Sequence, residues 1–245
     1  MSGSAELWRR LRSRVDGERV EWLRGAVDAV RADRGALVKL FPAVGRQLGR
    51  GPVEPGDHEY GWTVDDAGRT LLVLAADGEG LDELYRYGDA AERRGVLRSL
   101  ELLDAEAGLG LVEDAVRTND PRLLAAALGP YGMSRLDDEA LHQAVLKCVF
   151  VGVPLAALPA DQLAARTTPA LSRMLAAYVR ERVAAGRDVP PDVWPLIEAH
   201  PPKDELAAIE AELDHPVPDR RKAAAAALAQ RGRHSQRAQR TGGHP

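Results

Sequence analysis

Apolar residues recur at three- and four-residue spacing along most of the chain, and strict alternation is nearly absent. That pattern predicts helices and few strands. Ser4 precedes a first run through Leu7, Trp8, Leu11 and Val15, and Val20, Leu23, Val27 and Val30 mark a second. A third carries Leu37, Leu40, Phe41, Val44 and Leu48, with Pro42 predicted to kink it or start a turn. The segment 49–61 holds four Gly and two Pro in GRGPVEPGDHEYG and reads as a loop. WTVDDAGRTLLVLAADG then has two readings. It is either a hairpin about DDAG or, as preferred, a helix. In the helix Thr63 caps with Asp66 three residues on, and Val64, Ala67, Leu71, Leu72 and Ala75 share a face.

Start and stop signals divide the remainder. Asp89 followed by Glu92 is a capping box for a helix through residue 103. Asp120 and Pro121 open another as N-cap and first residue, and Gly129 stops it. A helix is predicted from Asp137 or Asp138 to the stop at Pro154, and a long amphipathic one from Thr168-Pro169 to Gly186. Seven prolines between 190 and 218 bracket short helices, and DRRKAAAAALAQ predicts a last helix that packs through a thin alanine face. The expected fold is all-α: an irregular multi-helix array, with a HEAT/ARM-like superhelix as its ordered variant. The expected division is a helical domain at 1–198, proline-bracketed helices at 199–230 and a disordered basic tail at 231–245.

Composition narrows the function classes. The 245 residues are 45% hydrophobic with a formal net charge of −4, enough for a real core and without general attraction to nucleic acid or anionic membrane. The lone cysteine excludes an internal disulfide and a cysteine metal cluster. No run approaches the length of a membrane span, and MSGSAELWRRLRSRVDGE lacks the apolar region of a signal peptide, so a cytoplasmic location is expected. The phosphate-loop, dinucleotide, zinc-protease and hydrolase-elbow motifs are absent. Asp65-Asp66 and Asp137-Asp138 lack the third aspartate of a magnesium-binding DDxxD motif, and the six histidines show no ligand spacing. Neither a metal nor another cofactor is expected.

Polar residues on apolar helical faces supply the candidate chemistry. In LHQAVLKCVFVGV, His142 lies among Leu146, Val149 and Val153, while Gln143 and Lys147 form the one polar strip between Phe150 and Val151. This helix reads as central. His142 and Lys147 are either a satisfied core histidine and a snorkelling lysine or the acid/base and cation of a small-ligand pocket. Cys148, on the apolar side, reads as an inert core residue. On the helix from Asp89, Arg93 falls within the arc of Val96, Leu97, Leu100 and Leu103, whereas Arg94, Arg98 and Glu101 fall opposite, toward water. A buried Arg93 needs a partner, either Asp89 one turn back or an anionic ligand. Tyr85 and Tyr87 precede this helix as pocket walls or loop anchors, and Arg117, Asn119 and Asp120 occupy a helix junction where Asx residues satisfy backbone groups.

Four segments, LYRYGDAAERRGVLRSLELL, AVRTNDPRLLAAALGPYG, LHQAVLKCVFVGVPLAAL and LSRMLAAYVRERVAAGRDVPPDVWPL, resemble the EboA-like family of bacterial proteins over roughly residues 20–198. The resemblance rests most on the D-x-x-E-R pattern of Gly88 to Arg93, the R-T-N at 117–119, the LKCVF at 146–150 and the run from Glu181 to Trp194. Two departures stand out: the family has Asn-Pro-Tyr in place of Gly129-Pro130-Tyr131, and Asn-Gln in place of His142-Gln143. The resemblance implies gene neighbours that include a UbiA-like prenyltransferase, a TatD-like hydrolase, a sugar-phosphate isomerase-like protein and a dehydroquinate-synthase-like cyclase. It therefore implies assembly or traffic of a small cyclitol-like or prenylated metabolite.

Three functions follow from these residues. The first is a non-catalytic accessory protein binding a small polar or anionic metabolite, or its partner enzymes, through Tyr85, Tyr87, Asp89, Arg93, Arg117, Asn119, Gln143 and Lys147. The second is an enzyme on a phosphorylated or prenylated cyclitol with Asp89 or His142 moving a proton. The third is a HEAT-like scaffold for the prenyltransferase or another partner.

Overall fold

A computed structural model of the protein describes residues 3–54, 59–103 and 108–241, with side chains through 236. Parts of the loop expected at 49–61, of the junction before Leu109 and of the tail after Thr241 lie outside the described residues. Among the described residues there are fifteen α-helices and no strand. The only pairing of strand type among them is an isolated antiparallel bridge between Pro52 and Thr63. Helix lengths run from 6 to 24 residues, so the all-α expectation holds in its irregular form.

The chain forms two compact units that meet in sequence within one helix, residues 1–144 forming most of the first and 160–245 most of the second. The first contains α1 (Gly3–Arg12), α2 (Gly17–Ala32), α3 (Leu37–Leu48), α4 (Val64–Ala75), α5 (Leu81–Tyr87), α6 (Ala90–Leu103), α7 (Leu109–Ala115), α8 (Pro121–Ala127) and α9 (Pro130–Arg135). Helix α10 (Asp138–Val151) passes from the first unit into the second.

Helix α4 is the axis of the first unit. Every residue from Val64 to Val73 is buried, because α1, α2, α3 and α6 all pack on it. The helical reading of DDAG is therefore correct, and its cap is the predicted one: the Asp66 N–H donates to the Thr63 hydroxyl while the Thr63 N–H donates to the Asp66 carboxylate at 3.1 Å. The sequence had assigned the role of central helix to α10. There Leu141, His142, Ala144, Val145, Cys148 and Val149 are buried, but Gln143 and Phe150 are exposed. Pro42 lies inside α3 without ending it. The residue four before it, Val38, is 63% exposed, so water can satisfy the carbonyl the proline leaves open.

The second unit is built on α12 (Pro169–Ala184), with α11 (Ala160–Ala165), α13 (Trp194–Ala199), α14 (Lys203–Ala211) and α15 (Pro218–Thr241). Thr168 caps α12 as predicted, and Gly186 follows it in the left-handed conformation at φ +66°. Trp194 is fully buried and its indole N–H donates to Gln230 on α15 at 3.3 Å. Helix α15 packs through Ala223, Ala224 and Ala227, the thin face expected. It also continues through residues 231–241, which the sequence assigned to a disordered tail. Arg231 there pairs with Glu198 at 2.7 Å and with Glu210 at 3.2 Å. Helices α14 and α15 pack with α12 and α13 within the second unit.

Two glycines test this packing in opposite directions. A Cβ on Gly132 of α9 would stand 1.9 Å from the Ala127 carbonyl oxygen, so Gly132→Ala is expected to lower unfolding stability by about 1–3 kcal/mol in a urea titration. Gly25, inside α2, has nothing within 4 Å of that position, and Gly25→Ala is expected to raise stability by about 0.5–1 kcal/mol in the same assay.

Candidate functional site

The start of α6 is fixed by its own sequence and by α4. The Glu92 N–H donates to the Asp89 carboxylate at 2.8 Å, and the Asp89 N–H donates to Glu92 at 3.1 Å, completing the predicted capping box. Gly88 permits the sharp entry from α5: a Cβ there would lie 2.5 Å from the Leu84 carbonyl oxygen.

One helical turn on, the structure reverses the expected wheel. Arg94 and Arg98, expected in water, are 7% and 9% exposed, whereas Arg93 is only half-buried. A wheel read for one apolar arc fails because α6 is covered by α4 on one side and by α5, α8 and α9 elsewhere, and the covering face of α4 is polar. Arg94 Nε donates to both Asp66 oxygens at 2.8 and 3.0 Å. Its Nη2 donates to the Thr63 hydroxyl at 2.9 Å, which in turn donates to Asp65 at 2.6 Å. Asp65 also accepts from Arg69 Nη1. Arg98 donates to the Tyr60 carbonyl at 2.6 Å and stacks over Trp62. Burial pushes the Asp66 carboxyl above its usual range, with the Arg94 and Arg98 guanidinium groups pulling against it. The sequence reading used Asp65-Asp66 only as a cap and as an incomplete metal motif. The available signal was the i,i+4 pair Asp65 and Arg69 on one helix and Arg94 and Arg98 on the next.

This network leaves the N-terminus of α6 between two clefts. The larger, about 460 Å³, is lined by Asp82, Tyr85, Arg86, Arg93, Gly110, Leu111 and Asp114. Arg93 arches back over it. Its Nε donates to the Gly88 carbonyl at 3.1 Å, its Nη2 to the Arg86 carbonyl at 3.2 Å, and its guanidinium lies 5.4 Å from the Tyr85 ring centre. Tyr85 is 5% exposed and its hydroxyl donates to Asp114 at 3.0 Å. Burial, reinforced by that carboxylate, holds the phenol well above its usual pKa. The second cleft, about 320 Å³, is lined by Arg50, Thr63, Asp89, Ala90, Ala91, Arg94, Asp120 and Arg122. Asp120 is committed to capping α8 through the Arg122 and Leu123 N–H groups, at 2.9 and 3.2 Å.

Of the residues singled out from sequence, Tyr85 and Arg93 thus meet in the first cleft, and Asp89 lines the second. Arg93 hydrogen-bonds main-chain carbonyls instead of the expected Asp89. Tyr87 is 80% exposed and lines neither. Arg117 and Asn119 are exposed at the α7–α8 junction, where Thr118 and Asp120 satisfy backbone groups. Gln143 is exposed, Lys147 half-exposed and His142 buried on α10, and none of them lines either cleft. Asp82, Arg86, Asp114, Arg50 and Arg122 were not foreseen. Each is an ordinary surface charge until the fold places it. Among the described residues no group of three or more His, Cys, Asp or Glu could hold a metal ion, and no helix is long and apolar enough to cross a membrane.

Two outcomes follow. Arg94→Met strands the buried Asp66 and is expected to cost about 3–5 kcal/mol in chemical denaturation, several times the effect of Arg93→Met on the half-buried neighbouring residue. Cys148 is fully buried, and burial pushes its thiol up to about 12. It is expected to resist a thiol reagent at mildly alkaline pH in the native state and to react stoichiometrically once the protein is denatured.

No curated protein and no solved structure matches this chain. The family model of the metabolite traffic protein EboA, however, matches residues 4–198, a span that holds both clefts and the whole α4–α6 network. The chain belongs to the EboA family of metabolite traffic proteins.

Proposed function

We propose that the protein carries a small polyhydroxylated, cyclitol-like metabolite in the cleft between α5, α6 and α7, and binds it without transforming it. The observation that carries this reading is the balance of the lining. Two guanidinium groups, Arg86 and Arg93, face two carboxylates, Asp82 and Asp114, around a space of about 460 Å³. A ring bearing several hydroxyls can donate to the carboxylates and accept from the guanidinium groups at once, and it brings no charge to upset that balance. The volume is that of a small-molecule site.

Proton transfer is poorly served by this lining. The Tyr85 phenol is held protonated by burial and by Asp114, so near neutrality it serves as a hydrogen-bonding wall and not as a base. Traffic also requires a donor or an acceptor. The UbiA-like prenyltransferase implied by the family resemblance is the partner we assign, with exposed Tyr87, beside the cleft in sequence, as a contact residue.

The test begins with native mass spectrometry of the protein purified from its own host, followed by solvent extraction. A stoichiometric polyol is expected in the wild type. Calorimetric titration with myo-inositol is expected to saturate, and Arg93→Gln or Asp114→Asn to weaken it by about 10- to 100-fold, the effect of losing a charge-assisted hydrogen bond. A bare mass from the host together with no saturable cyclitol binding would overturn the assignment.

A further inference from the structure

Arg69 is fully enclosed within the first unit. Its side chain is 0% exposed, its stem lies against Gly95, and its guanidinium stacks 5.6 Å from the centre of the Phe41 ring. It spends one nitrogen, Nη1, on Asp65. Nε and Nη2 are buried with no hydrogen-bond partner. These two nitrogens share one edge of the planar guanidinium, and their N–H groups point the same way. That edge receives a carboxylate or phosphate in bidentate fashion. A buried polar edge without partners is costly, and native proteins seldom leave one so.

The surroundings show where its partner would sit. Gly45 of α3 faces the Arg69 guanidinium. The point where a Cβ would stand on Gly45 is 3.2 Å from Arg69 Nη2, 3.1 Å from Arg50 Nε and 3.5 Å from Arg50 Nη2. Two guanidinium groups thus converge on the position that a side chain at residue 45 would take. Arg50 pairs with Asp89 at 3.9 Å, both side chains more than half exposed, a pairing too weak to neutralise it. Arg50 also lines the second cleft, beside Ala90 and Ala91 at the start of the fourteen-residue helix α6. A helix N-terminus adds further attraction for negative charge.

We infer that the gap between Arg50, Arg69 and Gly45 is an oxyanion site, reached through the second cleft, that takes a phosphate or carboxylate group on the open edge of Arg69. Arg50 covers the site toward solvent and moves aside to admit the anion. Glycine at 45 is required because any side chain would occupy the space between the two cations. The site is separate from the cleft of Arg93 and Tyr85, so it gives the protein a second ligand class: an anion-bearing molecule whose uncharged portion rests against Ala90 and Ala91.

Calorimetric titration of the full-length protein with inorganic phosphate, at ionic strength held constant with sodium chloride, tests this, with acetate as a parallel arm. The wild type is expected to bind one oxyanion saturably. Tighter phosphate assigns a phosphate ester, and tighter acetate assigns a carboxylate. Because Arg69 variants can fail to fold, the informative substitutions are Gly45→Ala, which fills the gap without removing charge, and Arg50→Gln. Each is expected to weaken binding at least tenfold, whereas Arg93→Gln, in the other cleft, leaves it unchanged. Absence of saturable binding of either anion to the wild type, or unaltered affinity in Gly45→Ala, overturns the site whatever the fate of the polyol assignment.

Discussion

The placing of four ionisable side chains between two packed helices governs the first unit. Asp65, Asp66 and Arg69 on α4 and Arg94 on α6 are all removed from water. Removing such groups from water costs several kcal/mol each, and pairing only roughly offsets that cost. The pairing therefore acts less as a source of stability than as a constraint on geometry. Arg94 meets both Asp66 oxygens and Thr63 together in one register and one rotation of α6 against α4. An apolar interface of the same size would tolerate sliding. With the rotation of α6 set, its capped N-terminus and Arg93 project in defined directions, and the two clefts take their shapes from that.

This constraint separates what the sequence reveals from what it hides. Helix starts were legible because a cap is a contact between residues two or three apart. Thr63 with Asp66, Asp89 with Glu92, and Asp120 before Pro121 all form as their spacing predicts. Stops were legible for the same reason, as at Gly186 with its left-handed backbone. Burial on α6 was not legible. Arg93 and Arg94 are adjacent and chemically identical, and the Asp66 carboxylate, 28 residues earlier on α4, decides which is swallowed by the core. Likewise Asp82 and Asp114 become one cleft wall through the packing of α5 and α7 about α6, which no local pattern encodes. On α10 the sequence pattern did not reveal that Gln143 and Phe150 face outward.

The two clefts contrast in electrostatic character. Around Tyr85, positive and negative groups alternate, and the aromatic ring lies beneath a guanidinium already anchored to two carbonyls. Around Arg50, the carboxylates are partly spent on capping α6 and α8, so cationic groups prevail. The N-terminus of α6 thus lies between two clefts of different electrostatic character.

The second unit has a different lesson. The family match ends at residue 198, yet the pairing of Trp194 with Gln230 and the ion pairs of Arg231 with Glu198 and Glu210 lie across or beyond that point. Helices α14 and α15 both lie against α12. The matched segment therefore shares its C-terminal core with α14 and α15. A chain truncated where the family resemblance stops would bare an indole and the hydrophobic flank of α12 to water. The core of the second unit thus reaches past the end of the family match, through α14 and α15.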